Sequence, residues 1–292
     1  MHAFSFLQSS PVVFIFTVFL LGLAVGSFLN VVILRLPIML ESGWKAECQA
    51  LMGEEDNGSS TGPKFNLITP GSHCPKCEDP IRAWQNIPVI SYLMLGGKCS
   101  HCKTHISARY PAVELLTALI SAGAAWHFGY GTQAAAAIFL GWALIALTFI
   151  DFDHQLLPDN IVLPVLWLGI LLNTNELFAG LQESVFGAAA GYLSLWILYH
   201  LFKLITGKEG MGHGDFKLFA LFGAWLGWQY LPLIILLSSV VGAAVGIFLI
   251  ITQGREKNIP IPFVPYLAAA GWIALIWGEQ IISSYLQFAK VS

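Results

Sequence analysis

Two sets of residues in this chain are of types and spacings that could do chemistry. The first is four cysteines in two Cys-x-x-Cys pairs, Cys74 with Cys77 and Cys99 with Cys102, separated by 21 residues. Two such knuckles at this distance read as a tetrahedral zinc ribbon. Four thiolates close the coordination shell, so the metal is expected to be structural and to fold a segment too small for its own core. Cys48 has no sequence partner, and His73, His101 and His105 beside the knuckles are spare ligands or surface histidines. The second set is acidic. Asp151, Asp153 and Asp159 fall in one short run, and Asp215 ends the Gly212-His213-Gly214-Asp215 sequence. Two carboxylates held together share a proton, so one can act as base while the other donates. Such a pair, Asp151 with Asp215, can activate water against an amide carbonyl.

The elements that must position these groups lie in a membrane. Of 292 residues, 56% are hydrophobic and 11% charged, where soluble proteins carry about a quarter charged. The apolar residues come in blocks of spanning length. Val12 to Leu34 is 23 residues without a charge, and the hydrocarbon core needs about 20. No basic residue precedes that block, so it reads as a retained helix and not a cleaved signal peptide. Further blocks follow at 112–128, 132–150, 161–178, 183–203, 216–229, 231–252 and 262–286, the fifth of these short enough to sit tilted or partly re-entrant. The expected fold is an all-α polytopic membrane protein of about eight transmembrane helices with a small cytoplasmic zinc-ribbon-like domain. The expected division is residues 1–34 as the first helix, 35–111 as the four-cysteine domain and 112–292 as the multi-helix membrane part.

Orientation follows from the basic residues. With 35–111, 151–160, 203–217 and 253–261 inside, thirteen of the fourteen Lys and Arg face the cytoplasm and only Lys290 does not. The cysteines then lie in a reducing compartment, which argues against disulfides. Both acidic sites fall on the cytoplasmic side at similar depth, the geometry a two-carboxylate site needs. No run of Lys and Arg suggests nucleic acid as a partner.

Each of these residues has a plainer role open to it. Asp159 follows Pro158 and suits a helix N-cap, Asp153 suits a solvated loop, and Asp215 sits where a helix N-terminus favours an anion. His154 and His213 are proton relays or surface and capping groups. Lys217 tunes Asp215 or reaches for the headgroups. Gly212 and Gly214 allow unusual backbone angles and the close approach of another chain. The Gly22-x-x-x-Gly26 pattern points to close helix packing.

Taken in order, the motifs resemble the bacterial prepilin peptidases, the type IV leader peptidases of the GxGD membrane aspartic proteases. The resemblance rests on Gly26-Ser27-Phe28-Leu29-Asn30-Val31-Val32-Ile33 with Arg35-Leu36-Pro37, both Cys-x-x-Cys pairs, Asn86-Ile87-Pro88, and Arg109-Tyr110-Pro111-Ala112-Val113-Glu114-Leu115. It also rests on Asp151 seven residues before Pro158 and on Asp215 at the end of Gly-x-Gly-Asp. It implies an inner-membrane enzyme that cuts the basic leader of type IV prepilins and type II secretion pseudopilins after Gly at the cytoplasmic face, with Asp151 and Asp215 catalytic. It further implies N-methylation of the new N-terminus, usually Phe, with S-adenosylmethionine, an activity tied to the cysteine-bearing segment. Gly96 and Gly97 are candidates near the methyl donor, or a turn opening the second knuckle. Glu54, Glu55 and Asp56 could attract the basic leader, or form an acidic loop without a role. The substrate's apolar helix would lie in membrane lipid beside the spans. Competing expectations are a membrane transporter with a zinc-ribbon regulator, a methyltransferase with structural aspartates, and a pilin-assembly factor that cuts nothing.

Overall fold

The computed structural model describes residues 8–52, 65–208, 210–253 and 262–291. The acidic stretch with Glu54, Glu55 and Asp56, and the basic residues Lys64, Arg255 and Lys257, lie outside them. The elements are α1 (Pro11–Leu51), α2 (Ile90–Met94), α3 (Arg109–Phe128), α4 (Thr132–His154), α5 (Asp159–Leu172), α6 (Leu181–Thr206), α7 (His213–Leu226), α8 (Leu231–Gln253) and α9 (Val264–Val291). Short 3-10 turns stand at Ala83–Asn86, Asn173–Asn175 and Trp228–Tyr230. Among the described residues there is no strand, only two isolated bridges. The protein is all-α.

Every expected apolar block is helical over most of its length. Among the described residues, five helical stretches are long and apolar enough to cross a membrane: Pro11–Leu51, Thr132–His154, Leu181–Thr206, Trp228–Thr252 and Val264–Ala289. The other three blocks form α3 of 20 residues and α5 and α7 of 14 each. Helix α1 does not stop where its charge-free block ends at Leu34; it continues through Pro37 to Leu51. Its 41 residues measure about 60 Å, twice the ~30 Å hydrocarbon core. Polarity ended the span there but not the helix. Block 161–178 is divided because α5 ends at Leu172. The Asn173 side chain accepts the N–H groups of Phe178 and Ala179. Its amide donates to the carbonyls of Ala224 and Trp225 at the end of α7.

The chain forms two compact units, Met1–Ala146 and Leu147–Ser292, with the boundary inside α4. In the first, α1 and α3 cross tightly. A Cβ on Gly22 would stand 2.7 Å from Ala118 Cα, and one on Gly26 would stand 2.6 Å from Glu114 Cα. The Gly-x-x-x-Gly pattern is therefore a packing device, as small residues are in lipid. In the second unit, α6 and α7 run antiparallel through a crossing of the same kind. Gly187 lies against the Gly223 carbonyl and Gly191 against the Phe219 carbonyl. Trp225, fully buried, fills the notch left by Gly169 and donates its indole N–H to the Val165 carbonyl. Phe222 of α7 fills a matching notch at Gly271 of α9. Gly187→Leu is expected to cost about 3 kcal/mol or more, because backbone stands where its side chain would go. A lower thermal midpoint of the detergent-solubilised protein checks this; an unchanged midpoint would count against the crossing.

Candidate active site and four-cysteine centre

In the second unit three helix ends converge. Asp151 sits in the last turn of α4 and Asp215 in the first turn of α7. They are 7% and 8% exposed, and each is within the other's electrostatic reach. The Val264 N–H at the start of α9 donates to the Asp151 carboxylate. Asp151 Oδ2 is buried and has no hydrogen-bond partner among the described residues. Asp215 is tied back to the Gly212 N–H, as the acidic residue of a capping box reaches its N-cap. Helix capping therefore fixes the Asp215 carboxylate without using up the group.

The neighbouring candidates separate. Asp153 and His154 are exposed. Asp159 is the first residue of α5 and not its N-cap; Pro158 takes that position, its carbonyl accepting from Ile161 and Val162. Lys217 does not turn to Asp215. Its Nζ lies 2.7 and 2.8 Å from the two Asp159 oxygens. His213 packs edge-on against Tyr199 at 4.9 Å. Neither Gly212 nor Gly214 adopts a positive φ. Gly214 does serve close approach, but of this chain: a Cβ there would stand 2.7 Å from Leu157 Cβ. The run after Asp151 is thereby packed against the turn that carries Asp215.

The four-cysteine centre lies in the first unit. The ligand atoms of Cys74, Cys77, Cys99 and Cys102 all lie within 4.8 Å of one another. Cys74 Sγ and Cys102 Sγ are 3.8 Å apart, and Cys77 Sγ and Cys99 Sγ 4.0 Å. A tetrahedron of ~2.3 Å metal–sulfur bonds has sulfur–sulfur edges of about 3.8 Å, so the four thiols can hold a metal ion. The two knuckles repeat one design. Glu78 after Cys77 and Lys103 after Cys102 both turn left-handed, at φ 57° and 58°. Their N–H groups return to the carbonyls of Cys74 and Cys99. Bridges His73–Pro80 and Lys98–His105 close the two loops. The Thr104 hydroxyl and N–H hold the Cys102 thiol down at about 6, whereas Cys77, despite its backbone bond to Asp79, is pushed up to about 12 by burial and the neighbouring thiols. Cys48 stands exposed outside the four-thiol group. The three nearby histidines are exposed and outside it too. Gly96 and Gly97, at φ 60° and 67°, form the turn into the second knuckle.

One group was not singled out from the sequence. Glu114, 8% exposed in α3, accepts the Val89 N–H at 2.8 Å and a hydrogen bond from Ser27. A lone carboxylate inside the apolar block 112–128 was the available signal.

Comparison with known proteins identifies the family. Residues 20–128 match the Bacterial Peptidase A24 N-terminal domain and residues 138–247 the Type IV leader peptidase family. A prepilin leader peptidase/N-methyltransferase of Stutzerimonas stutzeri is 57% identical over 286 residues, covering 98% of each chain. That of Pseudomonas aeruginosa is 57% identical over 289 residues, covering 99% of each. That of Aeromonas hydrophila is 55% identical over 276 residues, covering 94% of this chain and 95% of its own. No solved structure matches the chain. With membrane-length helices, two buried aspartates and a four-thiol centre in place, the chain belongs to the prepilin leader peptidase/N-methyltransferase family.

Proposed function

We propose that this protein cleaves the leader of type IV prepilins and type II secretion pseudopilins after Gly, at the cytoplasmic face of the inner membrane, and then N-methylates the new N-terminus. The observation that carries the reading is the meeting of Asp151 and Asp215, distant in sequence and both buried. One carboxylate takes a proton from water, whose oxygen attacks the scissile carbonyl. The other, protonated, donates to the carbonyl oxygen. The tetrahedral intermediate then collapses as the amine nitrogen gains a proton and leaves. The unpartnered Asp151 Oδ2 is the atom free to take part. The Val264 N–H holds the Asp151 carboxylate, and the Gly212 N–H holds that of Asp215.

For the second activity bound S-adenosylmethionine would supply a methyl group on a sulfonium; the new N-terminal amine would take the methyl and give up a proton, with a neutral thioether as the leaving group. We assign zinc to Cys74, Cys77, Cys99 and Cys102 on the thiolate preference for that metal. With its shell closed, the ion holds the segment together and is not a reacting centre. The charge asymmetry of the connecting segments supports the cytoplasmic placement of both centres.

The test is co-expression with a prepilin, read by gel shift and N-terminal mass. The expected product has lost its leader at Gly and is one methyl group heavier at its N-terminus. Uncut prepilin in the presence of inserted enzyme would end the peptidase reading. Lys217→Ala checks the division of labour. Its pair with Asp159 is 31% and 53% exposed, so it contributes about 0.2–1 kcal/mol, and cleavage is expected to change less than about fivefold. A far larger loss would mean that Lys217 acts on Asp215.

A further inference from the structure

Glu114 is a buried carboxylate that neither proposed reaction uses. An acidic group among membrane helices is costly and calls for a named partner and role. Its partners come from two directions. From α1, Gly26 opens the space that lets the helix lie on the Glu114 backbone, and Ser27, the next residue, donates to the carboxylate. One turn on, Asn30 donates its amide to the Tyr110 carbonyl at 3.1 Å. From the cysteine-bearing segment, Val89 donates its N–H to Glu114 Oε2 at 2.8 Å. Val89 is the residue before α2 and stands at φ 59°. A β-branched residue there is strained and persists only where its surroundings hold it. The Glu114 oxygen 2.8 Å away grips the strained N–H.

The same segment reaches the knuckles. The 3-10 turn at Ala83–Asn86 presents Gln85, whose amide donates to Ser100 Oγ at 2.7 Å, between Cys99 and Cys102. Past α2, the Tyr92 hydroxyl donates to the Ile106 carbonyl. Glu114 thus holds the stretch that leads from one knuckle to the next.

We propose that Glu114 is a positioning residue for methyl transfer: through the Val89 N–H it fixes the Ile87–Met94 stretch of the four-cysteine segment onto the α1–α3 pair. The inference rests on the N-methyltransferase reading given above. It assigns Glu114 no contact with substrate or methyl donor. The role requires an acceptor oxygen and not a proton carrier, so a neutral amide of the same shape can perform it.

The experiment compares Glu114→Ala and Glu114→Gln in the full-length enzyme. It reads leader cleavage, N-terminal methylation of the product, metal content, and hydrogen exchange over residues 87–94. Glu114→Ala is expected to lower methylation about tenfold or more, the scale of leaving a buried donor without its partner. Metal content and cleavage stay near wild type, and exchange at 87–94 quickens. Glu114→Gln keeps an acceptor for Val89 and is expected to restore most of the methylation. Wild-type methylation in Glu114→Ala would overturn the proposal, as would equal failure of both variants or a parallel loss of cleavage. If Glu114→Ala does not reach the membrane, Ser27→Ala decides: a few-fold loss confined to methylation supports the anchor, and no loss removes it. If the wild type itself never methylates, the methyltransferase reading has failed, and the proposed positioning for methyl transfer falls with it. The exchange measurement would then report separately whether the anchor exists.

Discussion

Asp151→Ala and Asp215→Ala are each expected to reduce leader cleavage by at least about 10³-fold while the protein still reaches the membrane. Loss of a positioned acid or base costs on the order of 10²–10⁴ in rate, and 10³ corresponds to ~4 kcal/mol of barrier. The Asn variants separate chemistry from shape. Asp151→Asn keeps the volume and can still accept from the Val264 N–H, and Asp215→Asn can still cap Gly212. Neither amide can carry the proton that the mechanism moves. Both Asn variants should therefore be as inactive as the Ala variants, yet better folded. A gel shift of co-expressed prepilin measures the loss, and membrane levels control for insertion. Near-normal cleavage in Asp151→Asn or Asp215→Asn would show that the residue only caps its helix, and Asp153 would be the next acid to test.

The second large effect belongs to the cysteines. Cys74→Ser should lower metal affinity at least about 100-fold, since removal of an outer-shell partner alone costs 10–100-fold. Methylation should fall with it, because a structural metal held by four thiolates supplies folding free energy to a segment of this size. Leader cleavage should persist, since Asp151 and Asp215 belong to the other compact unit. Metal content of the purified protein, with the two product masses, reads all three expectations together. Loss of cleavage in parallel with metal would tie the peptidase to the four-thiol centre. Retention of both metal and methylation would remove the ligand assignment.

Much of this architecture is legible in hydrophobic blocks, because lipid leaves a backbone few options besides helix. The eight apolar stretches became helices and, apart from the far ends of α1 and α5, their ends fall within a few residues of those expected. What the blocks could not show was where helix and membrane part company. Arg35 ends the apolar run of α1, but neither it nor Pro37, two residues on, stops the helix, which goes on to Leu51. Inside block 161–178 the polar run Asn173-Thr174-Asn175 was in view, yet its meaning depended on carbonyls at the far end of α7. The cysteine centre was the most legible feature, since ligand spacing is local. The aspartates were half legible: their types and flanking motifs stood out, whereas their proximity depends on how α4, α7 and α9 meet. Gly214 shows the limit of reading a residue type. Its lack of a side chain matters, but it makes room for Leu157 of the same chain, which no spacing rule could indicate. Glu114 was visible only as part of a motif. Its partners Ser27 and Val89 come from segments on either side of it in fold but not in sequence.

Helices α5 and α7 are joined at both ends, by Asp159 with Lys217 at their starts and by Asn173 with Ala224 and Trp225 at their finishes. Each has 14 residues and is about 21 Å long. A pair tied in this way moves as one body, so a tilt or shift of α5 is carried to the first turn of α7, where Asp215 sits. Helix α7 is buried along most of its length, so it rests against the other helices of its unit and not against lipid. A change in the surrounding bilayer would then reach the Asp215 carboxylate only through α5 and its other neighbours.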